Sequence, residues 1–258
     1  MPTTLAEIAA HLDTLLRLSE VPDFAGALNG IQVDTASPIT KVVAAVDARQ
    51  RTIRATAEAG GNLLLVHHGL FWGGVQPLRG AFLQRVKLLL AHDVAVYSAH
   101  LPLDMHPDFG NNALLARELG LTPTAGFARY KTVDIGVSGS TEVSTRELVD
   151  RAGRFARSHG HLVRTAGPVE GKVTRRWGIC TGAGADLETL REALGSGIDT
   201  LIVGEGPHWT AIDADEAGLT IIYAGHYATE TLGVRALAEH VATTFDLPWL
   251  FVDAPTGL

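Results

Sequence analysis

Two rhythms of apolar and polar positions run along the chain. Val42-Val43-Ala44-Ala45-Val46 and Leu63-Leu64-Leu65-Val66 are unbroken apolar runs. Runs this short with no face left for water fit parallel strands covered on both sides. Between them, residues 51–59 carry helical spacing, closed by Gly60-Gly61 where a helix C-terminus favours glycine. The alternation then predicts a helix over 80–91, a strand over 94–98 and a helix over 111–119. Beyond Thr122-Pro123-Thr124-Ala125-Gly126, a segment that reads as a boundary, strands are predicted at 133–137, 161–165, 177–180, 200–203, 220–224 and 249–252. Helices are predicted at 144–156, at 187–194 and, as one long element, at 229–244, while residues 1–17 are amphipathic. Strand–helix–strand order with short loops implies right-handed crossovers and layered sheets. The expected fold class is α/β, as two layered α/β domains with mainly parallel strands. One would comprise residues 1–125 plus about 215–258, the other about 126–214.

Composition narrows the function classes. With 46% apolar and 19% charged residues in 258, the chain has a globular balance. A net charge of −7, with no basic cluster beyond Arg175-Arg176, argues against a nucleic-acid-binding face. The single cysteine, Cys180, excludes an intrachain disulfide and a cysteine-based zinc site. It ends an apolar run without a basic neighbour and reads as buried and inert. The richest apolar stretch, 86–103, is interrupted by Lys87, His92, Asp93 and His100, so no membrane span is expected. The N-terminus has neither the basic start nor the apolar core of a signal peptide. These features point to a soluble, cytoplasmic protein.

Histidine is the unusual count, at 11. His67-His68-Gly69 directly follows the Leu63–Val66 run, and ligands in open parallel sheets sit at the carboxyl ends of strands. Successive side chains of a regular strand part to opposite faces, so the pair suits two neighbouring ions, one each, or simply caps the strand with hydrogen bonds. A second cluster, Ser98-Ala99-His100-Leu101-Pro102-Leu103-Asp104, offers imidazole and carboxylate donors for zinc, manganese or iron. By itself it reads equally as a satisfied core histidine and a turn aspartate. In the third, Ala224-Gly225-His226-Tyr227-Ala228-Thr229-Glu230, the four-residue spacing stacks His226 and Glu230 on one helix face. Glu230 could bridge two cations or serve as an ordinary first-turn acid. A parallel sheet gathers such strand ends into one crevice, and three histidines with two carboxylates suffice for two divalent ions. His208, after the strand at 200–203, is a candidate substrate contact or acid. His11, His92, His159, His161 and His240 read as surface groups, and His106 as a loop residue. Thr181-Gly182-Ala183-Gly184-Ala185-Asp186 reads as a tight strand–helix turn rather than a phosphate cradle, since no Gly-Lys-Ser/Thr follows.

Six segments occur in order between residues 28 and 230. They are Leu28-Asn29-Gly30-Ile31-Gln32-Val33, Leu65-Val66-His67-His68-Gly69, Ala99-His100-Leu101-Pro102-Leu103-Asp104, Cys180-Thr181-Gly182-Ala183-Gly184-Ala185-Asp186, Gly204-Glu205 and Gly225-His226-Tyr227-Ala228-Thr229-Glu230. Together they resemble the motif set of the Nif-three-like dinuclear metal-centre family, often labelled GTP cyclohydrolase I type 2. The resemblance implies two α/β domains, a toroidal homohexamer and a two-metal site facing an internal cavity, in the short form without an inserted domain. Carried over by position, His67, His68, Asp104, His226 and Glu230 match the metal ligands, with Glu230 bridging two divalent ions per chain (zinc, iron or manganese). His100 matches a position near the metals. Gly206-Pro207-His208-Trp209 departs from the pattern, since members often carry a second histidine in place of Trp209. The function implied is a dinuclear metal-dependent hydrolase acting on a nucleotide or related phosphate compound, with GTP ring opening at the purine C8 as one candidate. His100 and His208 are the candidate catalytic proton carriers. The alternatives are a metal-binding or iron-delivery protein without turnover, and a regulatory scaffold.

Overall fold

The computed structural model describes residues 2–258, so Met1 of the amphipathic N-terminal segment lies outside it. In chain order the elements are α1 (Leu5–Leu15), β1 (Gly30–Val33), β2 (Val42–Asp47), α2 (Gln50–Glu58), β3 (Leu63–His68), α3 (Gly80–Ala91), β4 (Ala95–Ser98) and α4 (Leu101–Asp104). There follow α5 (Asn111–Glu118), β5 (Ala125–Tyr130), β6 (Val133–Ser144), α6 (Thr145–Ser158), β7 (Arg164–Ala166), β8 (Val173–Cys180), α7 (Leu187–Gly195), β9 (Thr200–Val203) and α8 (His208–Ala217). The chain ends with β10 (Thr220–Tyr223), α9 (His226–Thr229), α10 (Thr231–Phe245) and β11 (Trp249–Phe251). The fold is mixed α/β with two sheets, each in its own compact unit.

The first unit runs through Leu103 and takes up the chain again at Gly233–Ala254. Its sheet has the order β1-β4-β3-β2-β11, with parallel pairing throughout except for the antiparallel edge strand β1. Both apolar runs behave as expected: Val42–Val46 and Leu63–Val66 are buried on both faces. On one face Val43, Ala45, Leu64, Val66 and Val96 pack against Ile53 of α2 and Phe82 and Leu89 of α3. Helix α1 starts at a capping box in which Thr4 and Glu7 satisfy each other's backbone donors. It is tied to the sheet where Tyr97 donates to Asp13 Oδ1 at 2.8 Å.

The second unit, Asp104–Leu232 with Pro255–Leu258, has the sheet order β5-β6-β8-β9-β10-β7. Strands β8, β9 and β10 are parallel; the β5–β6 hairpin, β6–β8 and β10–β7 are antiparallel. Neighbouring residues split between two cores, as the strand period requires. Ile179, Ile202 and Ile222 join Trp177, Leu148 and Phe155 on one side; Cys180, Leu201, Val203 and Ile221 join Phe127 and Leu190 on the other.

Several local expectations are corrected. Strand β6 extends to Ser144 through an irregularity between Ser140 and Val143. Strand β7 begins at Arg164, not 161, and β1 and α8 lack any signal strong enough to predict them. The long helix expected at 229–244 is α10, and the short α9 before it, with Glu230 as its C-cap, is not expected from the sequence. His11 and His240 are not isolated surface groups, since their Nε2 atoms lie 2.8 Å apart and their rings stack. His159 bonds the Phe155 carbonyl and His161 packs over Gly225, so both are half-buried, leaving His92 exposed as expected.

Candidate metal centre

In the first unit, the strand ends gather three imidazoles. His67 and His68 are the last residues of β3, and His100 lies two residues beyond β4. One ring nitrogen from each falls within 4.8 Å of the others. The His67 and His68 ring centroids are 4.7 Å apart, and His67 and His100 are 4.8 Å apart. Adjacent side chains on a regular strand part to opposite faces, yet these two rings stay close together at the end of β3. A Cβ at Gly69 would lie 2.2 Å from the Gln32 amide, so a larger residue there would have to displace the Gln32 side chain.

Each Nδ1 is bound to an oxygen that can only accept. His67 Nδ1 donates to the Ala99 carbonyl at 2.9 Å, His68 Nδ1 to Asp47 Oδ1 at 3.0 Å, and His100 Nδ1 to Asp23 Oδ1 at 2.8 Å. These bonds place the proton of each neutral ring on Nδ1 and the lone pair on Nε2. Metal-binding histidines are oriented in this manner by a carbonyl or carboxylate behind the ring. Asp23 is the more deeply held partner. Burial pushes its carboxyl up, but bonds from His100, Asn29 and the Phe24 N–H outweigh burial and hold it below its ordinary range.

The Leu28–Val33 segment now has a physical role. Asn29 accepts the His100 N–H at 2.7 Å and donates to Asp23 Oδ2 at 2.8 Å. Gln32 accepts the Leu70 N–H at 2.6 Å and donates to the carbonyls of Ala27 and Leu28. The segment therefore braces both histidine-bearing strand ends. Sequence reasoning does not identify Asp23 or Asp47. Asp47 carries a usable signal: it closes the apolar run of β2, and the parallel register sets it beside His68.

In the second unit, His226 opens α9 directly after β10. Its Nδ1 is 2.7 Å from Glu205 Oε1 and its Nε2 is 3.1 Å from Glu230 Oε2. The four-residue spacing thus does bring His226 and Glu230 together. Burial lowers the imidazole pKa, yet the two carboxylates outweigh it, Glu230 foremost, and push the pKa up to about 9. Glu230 is only 3% exposed. Gly182 holds a left-handed φ of +62°, and a Cβ on it would lie 2.2 Å from Glu230 Oε1. The loop after β8 is thus shaped around that carboxylate. Three of its N–H groups are already bonded, Thr181 to Asn112 Oδ1, Gly182 to Thr229 Oγ1 and Ala185 to the Glu205 carbonyl, while Asp186 caps α7. This supports the tight-turn reading over a phosphate cradle.

Asp104 is buried, and its Oδ1 accepts from Asn111 at 2.9 Å and from Thr181 Oγ1 at 3.5 Å. His208 is exposed at the first residue of α8 and belongs to no candidate metal-holding group among the described residues. His106 accepts the N–H groups of Asp108 and Phe109 and shapes its loop. Cys180 is buried, its thiol pushed far up by burial and by nearby carboxylates, and so inert as expected. The donors gathered here, imidazole nitrogen and carboxylate oxygen, suit zinc, iron or manganese, and the His67–His68–His100 group can hold a metal ion. Among the described residues no helix is long and apolar enough to cross a membrane.

Comparison with known proteins gives consistent results. A protein from Deinococcus radiodurans named "GTP cyclohydrolase 1 type 2 homolog" is 40% identical over 254 residues, spanning 98% of this chain and 94% of the relative. An Escherichia coli protein with the same name is 36% identical over 253 residues, covering 96% and 97% of the two chains. Among solved structures, a structural-genomics protein ybgI of unknown function superimposes with a TM-score of 0.88 at 33% identity, covering all of both chains. A crystal structure from Thermus thermophilus gives a TM-score of 0.80 at 35% identity, again over all of both chains. The model of one family, Duf34/NIF3 (NGG1p interacting factor 3), matches residues 3–256, and the chain belongs to that family.

Proposed function

We propose that the protein is a dinuclear metal-dependent hydrolase acting on a nucleotide or a related phosphate compound. In this reading His67, His68, Asp104, His226 and Glu230 hold two divalent ions, zinc, iron or manganese, with the Glu230 carboxylate shared between them. The observation that carries it is the common orientation of His67, His68 and His100, each tied through Nδ1 to an oxygen acceptor. Three such fixed rings are more than strand capping needs, and the arrangement prepares nitrogen lone pairs for a cation. The Gly182 loop, closed around Glu230, supports a fixed carboxylate donor. The names of the relatives make purine nucleotides the first substrates to try.

When bound, divalent ions supply Lewis-acid polarisation and nucleophile activation near neutral pH. The chain's own residues supply orientation and proton transfer. His100 keeps its Nδ1 proton on Asp23, so its Nε2 can accept a proton and the carboxylate stabilises the imidazolium that forms. Asp47 and the Ala99 carbonyl hold His68 and His67 in register. His208, exposed and without a hydrogen bond among the described residues, is a weaker choice for the proton carrier than His100. A ring of six copies belongs to the same reading. The test is elemental analysis of the purified protein followed by turnover assays with GTP, other nucleotides and phosphodiesters. About two ions per chain and metal-dependent hydrolysis are expected. A fully loaded protein that turns over none of these compounds would overturn the hydrolase reading.

A further inference from the structure

Within the first unit, two aromatic side chains stand at the edge of the histidine group. Phe24 is 49% exposed and Trp72 is 40% exposed, although tryptophan is highly buried on average. Their ring centroids lie 6.4 Å apart at an angle of 49°. Trp72 meets His100 edge-on at 4.8 Å and His68 edge-on at 5.6 Å, and Phe24 lies 6.0 Å from His100. Both are fixed by the backbone that orients the histidines. Phe24 follows Asp23, whose Oδ1 takes the Phe24 N–H at 2.6 Å as well as the His100 Nδ1 proton. Trp72 lies in the turn closed by the Gly74 N–H on the Phe71 carbonyl at 2.8 Å. Gly26 packs on that turn, where a Cβ would lie 3.0 Å from the Trp72 Cα and carbonyl oxygen. An exposure of 40% is more surface than a tryptophan backbone offers, so the indole itself is open to solvent. A hydrophobic residue exposed singly needs no explanation. Two in ring contact, set against fixed imidazoles, match the aromatic wall and few placed polar groups of a small-molecule site.

We infer that Phe24 and Trp72 form a stacking platform for a planar nitrogen heterocycle, the base of a nucleotide. Every base has a π face, and stacking on an aromatic side chain requires no particular hydrogen-bond pattern. The two rings are tilted rather than parallel, so a base lies on the indole and meets the phenyl ring at an angle, as aromatic pairs commonly do. Because Trp72 touches both His68 and His100, a base on the indole stands against the histidine group. The heterocycle, not the phosphate, is then the end of the ligand nearest the candidate metal centre, which favours nucleotides over phosphoesters that lack a base. The inference rests on the hydrolase reading for the ligand being a substrate, but not for the existence of the platform. Leu28, Val75 and Leu78 are exposed as well, and a second copy of the chain lying over this rim is the competing explanation.

The test uses the full chain loaded with zinc, titrated by calorimetry with GMP and with ribose 5-phosphate, which keeps the phosphate and lacks the base. GMP should bind more tightly by about tenfold or more. Trp72→Ala and Phe24→Ala should each weaken GMP binding by about fivefold or more, the loss expected for one stacking contact, and leave the affinity for ribose 5-phosphate unchanged. Trp72→Phe, which keeps a π face, should lose less. GMP should also quench the tryptophan emission of the parent, and most of that quench should be absent in Trp72→Phe. Circular dichroism and metal content should match the parent; if Trp72→Ala fails to fold, Trp72→Phe and Phe24→Ala carry the test. Unchanged GMP affinity in either folded Ala variant, or equal binding of GMP and ribose 5-phosphate by the parent, overturns the platform. Variants that change the mass read by light scattering while GMP affinity holds assign the rings to a contact between copies and overturn it too. GMP binding that is lost in the variants of a protein with no turnover under any metal keeps the platform and removes the hydrolase reading. Metal-dependent turnover with unaltered GMP affinity in the variants does the reverse.

Discussion

Replacing Asp47 separates orientation from ligation, because this residue touches a proposed ligand without being one. Its Oδ1 receives the His68 Nδ1 proton at 3.0 Å, and its side chain is 30% exposed. Asp47→Asn keeps an oxygen that can accept the same proton but removes the charge that makes the ring more basic. Asp47→Ala removes both and frees the imidazole to rotate or change tautomer. Loss of a partner behind a metal-binding histidine typically weakens metal affinity by about 10–100-fold, equivalent to about 1.4–2.7 kcal/mol at 25 °C. Asn should therefore fall near the lower end and Ala near the upper. Folding stability should change by about 1 kcal/mol or less, since a partly solvated pair of this kind contributes little. The assay is competition against a fluorescent zinc chelator, with thermal melts of the metal-free protein as control. Equal zinc affinity in the parent and Asp47→Ala would refute the reasoning, showing that His68 is not oriented for a metal at all.

Four further outcomes are expected. His67→Ala and His68→Ala should each keep about one ion by elemental analysis, whereas Glu230→Ala should lose one and weaken the other; full retention in any of them removes that residue from the site. Gly182→Ala forces a side chain to within 2.2 Å of Glu230 Oε1 at a left-handed φ, so it should cost about 1–3 kcal/mol of stability and lower metal content; a parental melting temperature would contradict the close approach. In the metal-free protein the pKa of His226 is raised from 6.5 to about 9, so its stabilising contribution is full below pH 6.5 and is lost as pH rises through about 9. Metal uptake at that ring displaces one proton, so affinity should climb by up to about tenfold per pH unit between 7 and 9 and then level off; calorimetry in buffers of different ionisation enthalpy should read the released proton, and none would refute the coupling. Light scattering should give about six times the 27.3 kDa chain mass; a stable monomer would remove the ring and leave the metal ligands untouched.

The parts legible in sequence are those whose physics is local. The runs 42–46 and 63–66 announce buried parallel strands because no position in them tolerates water. His67, His68 and His226 stand out because each closely follows such a strand, and the Glu230 spacing is set by one helical turn. What sequence reasoning misses depends on partners far along the chain. Asp23 is 77 residues from His100 and His11 is 229 from His240, and neither contact leaves a pattern in its own neighbourhood. The boundary between α9 and α10 has no Gly or Pro to mark it; it falls at the buried Glu230, the carboxylate against which the Gly182 loop is shaped. Strand β1 gives little signal because it is four residues long and lies at an edge.

The discontinuous first unit has a consequence for synthesis on the ribosome. Its sheet ends in β11, which joins β2 through bonds such as Val42 N–H to the Pro248 carbonyl and Val252 N–H to the Ala44 carbonyl. Those partners are made some two hundred residues after β2 itself. Throughout that interval the nascent chain carries an apolar strand with an open edge, a template for pairing with other chains. The second unit, nearly all of it contiguous in sequence, can meanwhile complete its sheet. A strand made long after β2 therefore closes that sheet, and slow elongation before β11 should favour chaperone dependence or aggregation of the nascent chain.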